Sequence, residues 1–206
     1  LNHYISETSY FTIAHSRGKI DDAWRTHKTT SAVPYANTSV GSDLHRMLDQ
    51  ERALSYIQFH HVKSTYFFDD VSLNLSIHTQ EQYRDRLKKV NDQSFEGFEA
   101  ETLGLWARFN KDIGKLSWSY GVERYSDSVD THRTDVKNGT TKVVAQGPFG
   151  NDSGYDTTGV YAQLDTMITD TINLLVGTRY TKTELSSAKV LDENSSITSI
   201  NNDADA

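Results

Sequence analysis

The residues best equipped for chemistry in this chain are eight histidines and two carboxylate pairs. Histidine is the commonest metal ligand and an axial ligand of haem. His60 and His61 are adjacent in a segment rich in Tyr, Phe and Ile. In a strand their rings point to opposite faces and cannot hold one ion together. His78 falls on the polar side of an alternating run, while His27, His45 and His132 fall in polar segments. Asp21-Asp22 and Asp69-Asp70 read as solvated turn carboxylates. The sequence contains no nucleophile elbow, phosphate-binding loop, zinc-protease helix or dinucleotide fingerprint. These residues predict no catalytic set, no metal centre and no cofactor. Binding chemistry is better represented. Trp24, His27, Tyr35, Arg133, Phe149 and Tyr155 lie in polar connecting segments, where aromatics and cations can hold a flat or anionic chelate. A second group, Gln80, Arg84, Arg108, Glu123, Gln163, Asp165 and Arg179, lies on the polar sides of candidate strands, where salt bridging between strands is the simplest role.

The elements that must position these groups read as strands. In 71 to 78, Val71, Leu73, Leu75 and Ile77 alternate without a break with Ser72, Asn74, Ser76 and His78. Leu103, Leu105, Ala107 and Phe109 form the next apolar side, with Trp106 as a large exception on the polar one. Leu116, Trp118, Tyr120 and Val122 follow, then Val160, Ala162, Leu164 and Ile168, and finally Ile172, Leu174, Val176 and Tyr180, with Leu175 out of phase. Segments 8 to 15 and 52 to 62 alternate less cleanly. One short amphipathic helix is predicted over Asp43 to Arg52, from the spacing of Leu44, Met47 and Leu48.

The connections carry further information. Lys111-Asp112-Ile113-Gly114 and Thr169-Asp170-Thr171 read as tight hairpin turns, and Lys63 to Asp70 as a longer one. Long polar segments at about 16 to 51, 87 to 100, 126 to 158 and 186 onward separate these hairpins. Asn138-Gly139 and Gly147-Pro148-Phe149-Gly150 mark turns inside the third. Strict alternation of short and long connections is expected of an outer-membrane barrel, which has short turns on one rim and long loops on the other. The runs of 9 to 13 residues also exceed the usual soluble strand of about 5–6.

Composition is compatible with that reading. The 206 residues are 36% hydrophobic and 24% charged, with no cysteine and two prolines. This excludes a disulfide scaffold, a thiol enzyme and a Cys-ligated metal site. The mean hydropathy is -0.62, and no stretch approaches the roughly 18 apolar residues of a membrane helix. Barrel strands escape this test, because they need only about 9–11 residues of alternating polarity. A net charge of -7 gives no global case for nucleic-acid binding. In lipid an antiparallel sheet spans only as a closed barrel. Seven predicted strands cannot close in the usual even-numbered pattern. Together with a first residue Leu1 and a polar C-terminal tail, this predicts that residues 1–206 form part of a larger barrel.

The segment GVYAQLDTMITDTINLLVGTRYTKTEL, Gly159 to Leu185, resembles a hairpin of TonB-dependent outer-membrane receptors: a Tyr/Phe-Ala-Gln-x-Asp strand, a threonine-aspartate turn and a Gly-x-Arg-Tyr strand. TLGLWARFNKDIGKLSWSYGVERYSDSV, Thr102 to Val129, resembles another, and SLNLSIHTQEQYRDR, Ser72 to Arg86, is similar to a strand with a polar Gln/Glu/Arg-rich end. The resemblance implies an all-β, antiparallel transmembrane β-barrel of about 22 strands, of which this chain holds about seven, without the plug domain or the C-terminal strands. It further implies an outer-membrane receptor of a Gram-negative bacterium that imports a ferric siderophore or another large scarce nutrient, such as haem, cobalamin or an oligosaccharide. Its partners would be membrane lipid, the small metal chelate, and the TonB–ExbB–ExbD system acting through the plug. The polar-side group would then line the lumen and the loop group would capture ligand. Tyr83, Trp118, Tyr120 and Tyr180 would be interfacial aromatics. The alternatives are a passive porin-type barrel and a soluble extracellular β-sandwich that binds carbohydrate.

Overall fold

Every principal strand continues well beyond the apolar run that announces it. In the computed structural model, which describes residues 1–146, 150–191 and 197–205, ten strands form one antiparallel sheet. They are β1 (Asn2–Ser6), β2 (Ser9–Trp24), β3 (His45–Val62), β4 (Asp70–Lys89), β5 (Asp92–Ile113), β6 (Leu116–Lys137), β7 (Thr140–Val143), β8 (Asn151–Thr169), β9 (Ile172–Leu191) and β10 (Ile197–Asp205). Each strand pairs with the next, except that the short β7 folds back on the end of β6 and β8 resumes beside β6. The two central strands, β5 and β6, have 22 residues each.

Several expectations need correction. The sheet has ten strands, not seven. The segment Asp43 to Arg52 is not helical, because it is paired in register with β4 from His45 onward and with β2 from Met47 onward. Pairing on both sides outweighs a weak helical spacing of three apolar residues. The long connection expected at 87 to 100 is strand apart from a tight turn at Val90 and Asn91, with Asn91 in the left-handed region at φ 60°. Among the described residues most of 126 to 158 is likewise strand, interrupted by a turn at Asn138 (φ 50°) and Gly139 (φ 79°) and again between Val143 and Asn151. Positive φ at two successive residues is the twist that a two-residue hairpin requires. Long and short connections therefore do not alternate strictly. One end of the sheet carries Glu7-Thr8, 63 to 69, Gly114-Lys115 and Asp170-Thr171. The other carries the 25 to 44 segment, the tight 90–91 turn and the β6–β8 excursion.

Register decides what each face presents. Direct cross-strand partners share a face. Phe11, Phe59, Leu73, Ala107, Val122, Val160 and Tyr180 form one continuous row across β2–β9, and Ile13, Ile57, Leu75 and Leu105 form the next. The apolar sides predicted for separate strands thus merge into one band. On β2 to β5 it gives way to charges at Arg17 and Glu101 and then at the row Lys19, Glu51, Glu81, Glu99 and Asp130, whereas on β6 and β9 charges enter closer in, at Arg124 and Lys182, which continue the Leu105 row. On the opposite face, Trp106 and Leu175 join the polar partners, as their phase predicts.

Burial runs against the pattern of a water-soluble sheet. Ser72 and Asn74 on the polar face are 5% and 6% exposed, whereas Leu75 and Leu105 on the apolar face are 45% and 55% exposed. Among the described residues the buried apolar side chains are Ala32 and Val71 alone. Along β4 the polar face is therefore the less exposed one, whereas toward the β9 edge both faces are open, Gln163 and Arg179 on the polar face being exposed.

Candidate functional site

Past the charged row the polar face gathers arginines. Leu48, Arg84, Glu96 and Arg133 are successive direct partners across β3, β4, β5 and β6, and Arg46, Arg86, Ser94 and Asp135 form the next row outward. The guanidinium of Arg84 interacts electrostatically with those of Arg46, Arg86, Arg25 and Arg133. Five cations thus converge at one end of one face. Three carboxylates answer them: Glu96 pairs with Arg84, Asp135 binds Arg133 through two bonds of 2.9 and 3.0 Å, and Asp43 binds Arg86. Buried donors remain over. The Nε groups of Arg46 and Arg84 are both buried and have no hydrogen-bond partner among the described residues.

Asp43 comes from the 25 to 44 segment, which folds against the end of this face. Its carboxylate accepts 2.7 and 3.1 Å bonds from Nε and Nη2 of Arg86 and lies 3.9 Å from Nε of Arg46. Burial pushes the Asp43 carboxyl up, but the hydrogen bonds and charge of Arg86, aided by Arg46 and Lys88, outweigh this and hold it below the usual carboxylate range. Arg46 also donates from Nη1 to the His27 carbonyl at 2.9 Å. The segment is tied internally by a bridge between Thr29 and Asp43, with Thr29 fully buried and donating from Oγ1 to the Thr26 carbonyl at 2.6 Å. The arrangement is a cationic cluster in which the anion on Arg86 is supplied by the protein's own loop. Paired guanidiniums bind carboxylates and phosphates bidentately, so the chemistry available is oxyanion binding.

The predicted residues divide between this cluster and other places. Arg84 and Arg133, assigned to different groups from the sequence, both belong to it. His27 enters through its backbone carbonyl rather than its ring. Tyr35 lies in the 25 to 44 segment, exposed, in a bridge with Thr38. Trp24, Arg133 and Tyr155 are strand residues rather than loop residues, because β2, β6 and β8 are longer than their apolar runs. Trp24 pairs with Met47 on the apolar-face side, with its ring 6.3 Å from that of His45. Tyr155 pairs with Asp127 and Leu185 on the polar face. Phe149 lies outside the described residues.

The predicted lumen group does share the polar face, spread along its length. Glu123 and Arg179 form an ion pair across β6, β8 and β9, and Arg108 sits 5.8 Å from the Trp106 ring. Gln80 pairs with Arg52 and Ala100, Gln163 with Ser119 and Gly177, and Asp165 with Ser117 and Leu175. His60 and His61 do point to opposite faces: His60 stacks on Tyr10 at 4.7 Å and bonds Ser72, while His61 bonds Ser9.

Sequence reasoning missed Asp43, Arg46, Arg86 and Glu96. The first two were absorbed into the expected helix. The only available signal was the i, i+2 spacing of Arg84 and Arg86, which puts both on one face of a strand. Compared with protein-family models and with curated proteins, the chain matches none.

Proposed function

We propose that the chain is part of the barrel of an outer-membrane receptor of the TonB-dependent type, taking up a ferric siderophore or another large scarce nutrient. The observation that carries this reading is the inverted burial of the sheet. An open apolar face along the central strands, with the polar residues of β4 less exposed than their apolar neighbours, suits a barrel wall with lipid outside and a wet lumen inside. The band's dimensions agree. Along β5 it runs from Ile113 to Leu103, eleven residues or ten steps, with Lys111 near its outer end. At about 3.3 Å per residue and a tilt of about 40°, that is roughly 25 Å of height, which matches a barrel's apolar band. Strands that extend beyond the band, as β4, β5 and β6 do, would project the arginine cluster above the membrane on the ligand-facing rim. In this reading the apolar face meets lipid. Gln80, Arg84, Arg108, Glu123, Gln163, Asp165 and Arg179 face the lumen, and the TonB–ExbB–ExbD system acts through a plug.

The test uses the full-length protein in its native membrane. Its expected behaviour is fractionation with the outer membrane, slower or faster migration in unboiled than in boiled gel samples, and ligand uptake that stops when the TonB system is deleted. Recovery in the soluble fraction with identical migration in both samples would reject a barrel.

A further inference from the structure

We propose that Arg46 and Arg86 form an oxyanion site held closed by Asp43, and that a soluble multivalent oxyanion binds there by displacing Asp43 and releasing the 25 to 44 segment. Asp43 already makes the contacts such a ligand would make. It lies 3% exposed, with both carboxylate oxygens on the Arg86 guanidinium and one of them 3.9 Å from Arg46. The site has binding capacity beyond what Asp43 uses. Five guanidiniums face three carboxylates, and the buried Nε donors of Arg46 and Arg84 have no acceptor among the described residues. A ligand bearing two or more oxyanion groups could replace Asp43 and also reach these donors, which a single carboxylate cannot do.

The attachments of the segment make displacement consequential. Asp43 links it to Arg86 and Arg46 through its side chain, and its main chain bonds Lys28 and Thr30 within the segment. Among the described residues the other hydrogen bonds to the sheet are the Arg46 bond to the His27 carbonyl and the two hinge bonds, Arg25 N–H to the Arg46 carbonyl and Leu44 N–H to the Leu87 carbonyl. The Asp43 side-chain links and the Arg46–His27 bond depend on the same guanidiniums that the ligand would engage. The cluster lies on the polar face, opposite the apolar band, so a lipid headgroup does not have access to it in the proposed membrane orientation. Identifying the oxyanion with the imported ligand rests on the receptor reading; the binding site and its latch do not.

The experiment uses the full-length protein in detergent micelles at low salt, with inorganic pyrophosphate as the probe and chloride at equal ionic strength as the control. Pyrophosphate binding is read by calorimetry and segment release by trypsin cleavage after Lys28. In the wild type, cleavage should rise severalfold and saturate with pyrophosphate. Asp43→Asn removes the internal competitor, so cleavage becomes fast without ligand and pyrophosphate binds about tenfold more tightly, as expected if the site is open about a tenth of the time. Arg86→Gln should also give fast cleavage but bind at least tenfold more weakly than the wild type. If Asp43 and Arg86 are only a structural pair, both variants are cleaved fast and neither binds. That result, or a wild type whose cleavage ignores pyrophosphate, overturns the proposal. Uptake and outer-membrane fractionation that persist alongside such a result would leave the receptor reading in place.

Discussion

Arg84 and Glu96 are direct partners across the β4–β5 ladder and form an ion pair, with Arg133 in turn opposite Glu96 on β6. Glu96 is 7% exposed, so its charge is held between two cations at the covered end of the polar face. Glu96→Gln should destabilise the protein by about 2 kcal/mol, because a partly buried guanidinium loses its counter-ion among like charges. Urea unfolding of the full-length protein in micelles measures this. The double substitution Arg84→Met/Glu96→Leu should lose less than Glu96→Gln alone, since no charge is then left unpaired.

The apolar band gives a second prediction. Leu105 sits in the row with Ile13, Ile57 and Leu75. If this face meets lipid at mid-depth, Leu105→Arg should cost about 2–4 kcal/mol, while Glu101→Arg, two rows nearer the charged edge, should cost about 1 kcal/mol or less. Folding equilibria in lipid vesicles distinguish them. A cost for Leu105→Arg below about 0.5 kcal/mol is what a water-exposed surface would give.

The 63 to 69 connection should respond to acid. Asp69 accepts bonds from Lys111 Nζ at 2.8 Å, Ser64 Oγ at 2.6 Å and the Asp112 N–H at 2.8 Å, which hold its carboxyl down to about 2. Its folded value is below its ordinary value of 3.8, so the contribution is fully present above that value and is lost as pH falls toward about 2. Pepsin cleavage at the exposed Tyr66 and Phe67 should therefore rise over this interval. Asp69→Asn should abolish the pH dependence, with cleavage raised throughout.

Glycine positions differ in what they tolerate. A Cβ at Gly121 would collide with the Ala107 carbonyl oxygen and come within 2.7 Å of Tyr161 Oη, so Gly121→Ala requires a backbone shift. Its cost should be about 1–3 kcal/mol. Gly18 has nothing within 4 Å of the same position, and Gly18→Ala should leave stability unchanged or raise it by up to about 1 kcal/mol. Parallel urea titrations compare the two.

The all-β class and the phase of each apolar side were legible in the amino-acid sequence, because Val71 to Ile77, Leu103 to Phe109 and Leu116 to Val122 alternate with polar residues at the period of a strand. The turns at Gly114, at Asn138-Gly139 and at Asp170 were legible for the same local reason: left-handed or tight backbone needs particular residue types. The strand extensions were not. In 79 to 89 and 92 to 102 most side chains on both faces are polar, so hydropathy has no period there, and pairing with neighbouring strands is what keeps the backbone extended. The same ladders turned the expected helix at 43 to 52 into the start of β3. Register also created the arginine cluster, since Arg46, Arg84 and Arg133 are far apart along the chain and meet only because their strands align row by row. Local patterning fixes which way a side chain points, but only the alignment of strands determines which side chains it faces.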